Sequence, residues 1–422
     1  MSAIEEGRGR ILRRLYTGLL YLLLPLALLR LYWRGRQDAG HRRRWRERLG
    51  IIPPLPESSC LWVHAVSVGE TRAALPLIRA LLNRYPDLPL LVTTTTLTGS
   101  RQVCEALGDR VHHVYAPYDL PGAAARFLRQ TRPRLALIME TELWPNLVRE
   151  ANTPGIPLYL VNARLSEKSA AGYRRFAALT HEVLQGFKAV AAQTEADALR
   201  LRQLGASDVS VTGNLKFDLE PPPAQLELGR QFRALFGNRP VWLAASTRDG
   251  EEKLVLEAFR QAAPPEVVLA LVPRHPQRFD EVAALARGMG FDLQRRRDKA
   301  PLSAATRVWL GDSLGEMFAY YAAADCALIG GSLLPYGGQN LIEACAVGCP
   351  VLVGPHTENF KQVAEAAIEC GAALRVADAA EWVAQAMRLM QDETTRRQMG
   401  EAGRNFAAAH KGAAARVMAL LD

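Results

Sequence analysis

The sequence predicts an α/β protein of two Rossmann-like domains joined by a short linker and preceded by a hydrophobic N-terminal helix. Three observations carry this. From residue 60 to residue 213, short β-branched or apolar runs alternate with helical patterns, as in a parallel sheet with helical crossovers. Three consecutive prolines at 221–223 then interrupt the pattern, and neither a helix interior nor a central strand accommodates them. Beyond them the same alternation restarts and runs to residue 376.

The elements follow in order. Residues 15–29, LYTGLLYLLLPLALL, are an uncharged run with Arg13 and Arg14 before it and Arg30 after it. A bilayer span needs roughly 20 apolar residues, a length this run reaches only with Leu31, Tyr32 and Trp33 included. The arginine-rich RGRQDAGHRRRWRERLG follows, where a secretory leader would have a small-residue cleavage site. The pattern fits a retained anchor whose collar (Arg42, Arg43, Arg44, Arg46 and Arg48) meets anionic lipid at about 1 kcal/mol per arginine. A helix packed on the protein's own body is the alternative.

Strands are expected at 61–67, 89–96, 112–118, 135–140, 157–163, 189–193 and 209–213, with helices such as ETRAALPLIRALLNRY and GSRQVCEAL between them. After the prolines, strands are expected at 241–247, 267–273, 307–312, 326–332, 350–355 and 373–376, and the Ala/Arg-rich end reads as helix. The expected organisation is an anchor over 1–50, a first domain over 51–216 and a linker over 217–225. A second domain over 226–400 and a C-terminal helix over 401–422 complete it. In such a pair, ligands are expected in a cleft at the carboxyl ends of the strands.

Charge narrows the function classes. The net charge is +9, but residues 1–50 hold twelve arginines against four acids, leaving 40 basic and 39 acidic groups elsewhere. A near-neutral body argues against nucleic acid as a partner and for a localised basic anchor. The six cysteines include no CxxC pair, which suits small buried hydrophobes in a reducing compartment.

The chemistry-bearing residues collect after the expected strands. In HAVSVGE, Gly69 is placed at a sharp turn and Glu70 in the first helical turn, where a cap and a catalytic carboxylate are both open readings. METELWPN sets Glu140 and Glu142 two apart, on one face of an extended strand end. They are a structural ion pair with cations or a functional pair, and Arg164 and Lys216, each also after a strand, are candidate partners. In VWLAASTRDGEE, Ser246 and Thr247 read as helix caps that could also bind phosphate. Arg274 in LVPRHPQRF suits an anion bound bidentately, with His275 beside it as a hydrogen-bonding or titrating group. In IGGSLLPYGGQNLIEA, a glycine-rich loop leads to Asn340 and Glu343 at a helix start, an arrangement suited to nucleotide phosphate and ribose. GxxxxGK[ST], an opening GxGxxG, DxD and HExxH are all absent, so no metal or other cofactor is expected.

Together HAVSVGE, YDLPGAAARFL, METELWPN, NARLSEKSAAGY, TGNLKFD, LVPRHPQRF and GGSLLPYGGQNLIEA resemble, in order and spacing, the 3-deoxy-D-manno-octulosonic acid (Kdo) transferases. The resemblance implies a membrane-attached GT-B glycosyltransferase that moves Kdo from CMP-Kdo to the lipid A precursor lipid IVA. It would act at the cytoplasmic face of the bacterial inner membrane, with inversion and without a metal. Carried across motif by motif, it makes Glu70 the general base and Glu140 and Lys216 transition-state stabilisers. It places Arg274 and His275 in the CMP site, with Gly311, Asp312, Ser313, Leu314, Gly315 and Glu316 of GDSLGEM. Asn340, Leu341, Ile342 and Glu343 complete that site. GDSLGEM stands here for the commoner GDTMGEL and NLIE for NPLE, changes expected to alter geometry more than chemistry. The rival readings are a nucleotide-sugar 2-epimerase on the same architecture and a tethered binding protein without turnover. Deleting residues 1–33 is expected to release the protein from membranes; sedimentation with vesicles, compared with the full chain, measures this.

Overall fold

The computed structural model describes residues 3–36, 38, 40, 42–55, 59–298 and 300–422. The chain forms two units. The first takes the described residues up to Asp218 together with Lys411–Asp422, and the second is Leu219–His410.

The first unit holds strands β1 (Cys60–His64), β2 (Leu90–Thr94), β3 (His112–Tyr115), β4 (Pro133–Met139), β5 (Leu158–Ala163), β6 (Ala189–Ala192) and β7 (Val209–Val211). They form one parallel sheet in the order β3-β2-β1-β4-β5-β6-β7. β1 is buried on both faces, which explains its near-continuous apolar sequence. Cys60 and Trp62 point into one core, where Trp62 meets the edge of Phe127 with ring centroids 5.0 Å apart. Leu61 and Val63 point into the other, shared with Leu77, Ile78 and Leu81 of the helix Val68–Arg84. Each such apolar side chain stabilises the fold by ~1.5–3 kcal/mol. From the adjacent strands β1 and β4 the chain leaves in opposite directions, to β2 and to β5. The loops after β1 and β4 therefore open side by side.

The second unit repeats the plan with β8 (Val241–Thr247), β9 (Val268–Pro273), β10 (Leu293–Arg295), β11 (Val308–Leu310), β12 (Cys326–Ile329), β13 (Val351–Val353) and β14 (Ala373–Arg375). Their order is β10-β11-β9-β8-β12-β13-β14, again all parallel, with the reversal at β8 and β12. β10 is not expected from sequence. It is a three-residue edge strand in which Gln294 and Arg295 mask any apolar run, and pairing with β11 alone makes it a strand.

Two boundaries differ from expectation. The linker ends early, because Pro223 opens the helix Pro223–Phe236 from its first position, where a missing N–H costs nothing. The C-terminal region is two helices, Glu393–Ala409 and Ala413–Ala419, broken at Gly412 with φ +91°. Gly403 of the former packs on Cys345 in the second unit, while Ala413, Val417 and Met418 of the latter enter the core of the first. Asp218 fastens that last helix by accepting the N–H groups of Gly412 at 2.6 Å, Ala413 at 3.2 Å and Ala414.

Helix α1 (Ala3–Arg34) belongs to the first unit. One stripe docks on the body: Gly9 lies against Ala178, Arg13 pairs with Glu182, and Thr17 Oγ1 donates to Asn146 Oδ1 at 3.0 Å. A second stripe, Ile11, Leu15, Leu19, Leu22, Leu26, Leu29 and Trp33, is exposed, Leu22 to 74%. One stripe of the helix thus packs on the protein's own body while another stays apolar and exposed, on a helix long and apolar enough to cross a membrane.

Asp218→Ala is expected to lower stability by ~1–3 kcal/mol, because three helix-start N–H groups lose their acceptor. Thermal unfolding measures the loss, and proteolysis should then cut first near residue 411.

Candidate active site

The loop after β1 closes on itself and leads into helix α2 (Val68–Arg84). Ser67, extended at φ −120°, caps α2 by accepting the Glu70 N–H at 3.3 Å, and its hydroxyl donates to Glu70 Oε1 at 2.8 Å. The Val66 N–H donates to Glu70 Oε2 at 2.7 Å, completing a reciprocal cap. The sharp turn thus falls at Ser67; Gly69 is an ordinary residue of the first helical turn. A Cβ there would meet only Ser67 Oγ, at 3.7 Å, so the space on that side of Gly69 is open.

Glu70 is 7% exposed, and its carboxyl is pushed up to about 7. Burial is the largest cause, opposed by the Val66 and Ser67 bonds and reinforced by the negative charges of Glu140 and Glu142. The helix N-terminus favours the ionised form, but desolvation and two neighbouring carboxylates outweigh it.

β4 ends at Met139, so the glutamates that follow do not share a strand face as expected. Glu140 is left-handed at φ +55° and donates its N–H to the Val161 carbonyl at 2.9 Å. Glu142 accepts from Trp144 Nε1 at 2.7 Å, and burial raises its carboxyl above the usual range. Trp144 packs edge-on against His64 with centroids 4.9 Å apart. His64 is fully buried and held at about 4, so it is neutral at neutral pH.

Lys216 lies on a 3₁₀ turn, Leu215–Phe217, whose position is set by Asn162. That residue, buried at the end of β5 with φ +56°, accepts the Leu215 N–H at 3.0 Å. Arg164 is exposed, and its carbonyl, not its guanidinium, meets the glutamate loop through Thr141. The first unit thus gathers Glu70, Glu140 and Glu142: the charges of Glu140 and Glu142 bear on Glu70, and that of Glu140 on Glu142. Asn162 and Asp119, the buried residues that hold the surrounding loops, were not singled out in the sequence. Both are polar residues just after an apolar run, which is the one signal they offer.

In the second unit, Ser246 and Thr247 end β8 and do not cap the next helix. Arg248, Asp249 and Gly250 intervene, and Gly250 at φ +84° starts the helix Glu251–Ala262. Ser246 is left-handed at φ +56°, and the Thr247 hydroxyl donates to buried Glu252 at 2.9 Å. Glu251 is the organising group: it accepts the N–H groups of Arg248 at 2.8 Å, Gly331 at 2.6 Å and Leu333 at 2.9 Å, pinning the glycine-rich loop to the end of β8.

Arg274 follows β9 and donates its N–H to the Thr247 carbonyl at 2.9 Å. His275 Nε2 meets Arg248 Nη1 at 3.0 Å, and burial, then Arg248, Arg274 and Arg278, lower its pKa. Arg248 also lies over the Tyr336 ring at 4.8 Å, so it joins the expected anion site although its motif was read for its hydroxyls.

The loop 311–316 is closed by arginines of the turn that follows the unexpected edge strand. Asp312 pairs with Arg297 at 3.0 Å, and Glu316 with Arg296 at 3.3 Å. Ser313 Oγ bonds Glu316 at 2.5 Å and Tyr320 at 2.7 Å. A Cβ on Gly311 would lie 2.7 Å from Val272, Gly315 is at φ +76°, and Leu314 is 68% exposed. Asn340 Oδ1 accepts the Ile342 N–H at 3.0 Å, just ahead of Glu343. Leu341 and Ile342 bury their side chains, leaving backbone as what they can offer a ligand.

Two parallel Rossmann-like units, each with charged residues at its strand-order reversal, give the chain the fold class of GT-B proteins. Residues 43–219 match the family model described as 3-deoxy-D-manno-octulosonic-acid transferase (kdotransferase), and residues 249–406 that of glycosyl transferases group 1. The 3-deoxy-D-manno-octulosonic acid transferase of Bordetella pertussis is 45% identical over 99% of both chains. That of Haemophilus influenzae is 37% identical over 97% of this chain and 98% of its own. Among solved structures, a UDP-GlcNAc 2-epimerase from Neisseria meningitidis aligns with TM-score 0.58 at 15% identity, covering 86% of this chain and 99% of its own. That likeness is one of fold alone. The chain belongs to the 3-deoxy-D-manno-octulosonic acid transferase family.

Glu70 has a stability signature of its own. Its folded pKa of about 7 exceeds an unfolded value of about 4.3, so its favourable contribution is full below pH ~4 and is lost as pH rises through ~7. Glu70→Gln is expected to keep the fold and to flatten this part of the curve, gaining on the wild type in melting temperature between pH 5 and pH 8.

Proposed function

We propose that the protein transfers Kdo from CMP-Kdo to the lipid A precursor lipid IVA, by a metal-independent inverting displacement in which Glu70 is the general base. The observation that carries this reading is a buried carboxylate with a pKa of about 7 at the mouth of the β1 loop, beside Glu140 and Glu142, in a chain of this family. A base is most effective when its pKa lies near the working pH, and such assistance is worth on the order of 10²–10⁴-fold. The acceptor hydroxyl would give its proton to Glu70 as its oxygen bonds the anomeric carbon. The C–O bond to CMP breaks in the same step, and the bonding pair leaves on the phosphate.

The sugar passes through oxocarbenium character beside its own carboxylate. Glu140 and Lys216 are assigned to that charge. Arg274, His275 and Arg248 are assigned to the CMP phosphate, supported by their convergence after β8 and β9. The loop 311–316, the segment 340–343 and the backbone near Ser246 and Thr247 are assigned to the rest of the nucleotide. The exposed stripe of α1 and the exposed Arg42, Arg43, Arg44 and Arg46 support attachment to anionic lipid at the cytoplasmic face of the inner membrane. Arg48, expected in the same collar, is instead buried against Tyr115 and bonded to the Thr95 carbonyl.

CMP release from CMP-Kdo that depends on added lipid IVA tests the reading; an epimerase or a binding protein would give none. Glu70→Gln is expected to lower kcat by on the order of 10²–10⁴-fold with donor binding retained. Wild-type turnover should rise with pH through about 7, as the carboxyl loses its proton. Arg274→Ala is expected to weaken donor binding, and an unchanged donor affinity would remove it from the CMP site.

A further inference from the structure

The motif YDLPGAAARFL has no part in the chemistry above, yet its Asp119 is 7% exposed and heavily bonded. Its carboxylate accepts the N–H groups of Asn146 at 3.2 Å and Leu147 at 2.7 Å, in the first turn of the helix Pro145–Asn152. Asn146 Nδ2 donates back to the Asp119 carbonyl at 2.7 Å. Two side chains of α1 end on this same pair. The Tyr16 hydroxyl bears on the Asp119 carboxylate, each shifting the other's titration, and Thr17 Oγ1 donates to Asn146 Oδ1 at 3.0 Å.

The helix Pro145–Asn152 directly continues the loop that carries Glu140 and Glu142. Little slack separates them. Pro145 opens the helix with a fixed φ, and Trp144 is held between His64 and the Glu142 carboxylate. A shift of the first helical turn is therefore passed to Trp144 and Glu142.

We propose that α1 is a structural part of the acceptor site as well as a tether: Tyr16 and Thr17, through Asp119 and Asn146, position the loop that holds Glu140 and Glu142 beside Glu70. Tyr16, Thr17, Asp119 and Asn146 are positioning residues in this scheme. It rests on the reading of Glu70 as base for its kinetic consequence, though the positioning can be read without turnover. Misplacement by about 1 Å can cost on the order of a hundredfold in rate.

The test uses the full chain in phosphatidylethanolamine–phosphatidylglycerol vesicles with lipid IVA, comparing wild type, the double variant Tyr16→Phe/Thr17→Val, and Thr17→Ser. The double variant keeps the exposed leucine stripe and should sediment with vesicles as the wild type does. Its kcat/KM for the lipid acceptor should fall roughly ten- to hundredfold with KM for CMP-Kdo unchanged, while Thr17→Ser, which keeps the hydroxyl, stays within about twofold of wild type. Amide hydrogen exchange over residues 140–147 should be faster in the double variant. Unchanged exchange there overturns the positioning whatever the turnover. So do wild-type acceptor kinetics in the double variant, or a loss shared equally by donor and acceptor parameters. A wild type with no acceptor-dependent CMP release, but with the expected exchange difference, overturns the functional reading and leaves the positioning supported.

Discussion

Carboxylates that accept backbone N–H groups, most of them buried, are the interaction on which both units depend. The carboxyl edge of a parallel sheet ends in loops and helix starts whose N–H groups have no partner within the strand or the helix. Asp119 supplies two of these groups with an acceptor, Glu251 holds one after β8 and three in the glycine-rich loop, and Asp218 holds three at the last helix. Glu47 does the same for Tyr115, and Asp197 for Leu165. Removing one such acceptor leaves buried donors unsatisfied, which costs more than the bond itself contributed.

Glu70 belongs to this set and differs from it in one respect. It accepts from Val66 and Ser67 as the others accept from their loops, but two further carboxylates bear on it. The cap holds the side chain in a single place, and burial with like charge brings its proton affinity near neutrality. One side chain therefore serves as a helix cap and has the properties of a base. The space left open by Gly69 is on the same turn.

Much of this was legible along the chain. Buried parallel strands are largely continuous apolar runs, so thirteen of the fourteen strands among the described residues stand out; β10 does not, because Gln294 and Arg295 leave it no apolar run. The loops after β1, β4, β8 and β9 were marked by charged residues following apolar ones. What failed was local conformation. Ser246 and Glu140 take left-handed backbone that no propensity assigns to serine or glutamate, and each is held by pairing around it. Arg248 was overlooked because its role appears only with His275, 27 residues away, and the Tyr336 ring.

The sequence by itself determined the two parallel sheets, the apolar N-terminal helix and the strand ends where chemistry could gather, because these follow from short-range periodicity and turn chemistry. Only the tertiary structure decided which carboxylates lie together, that Glu70 titrates near 7 and not in the usual acidic range, and that arginines just after an edge strand close the 311–316 loop. Burial and charge pairing are sums over neighbours far apart in the chain. No local pattern contains them.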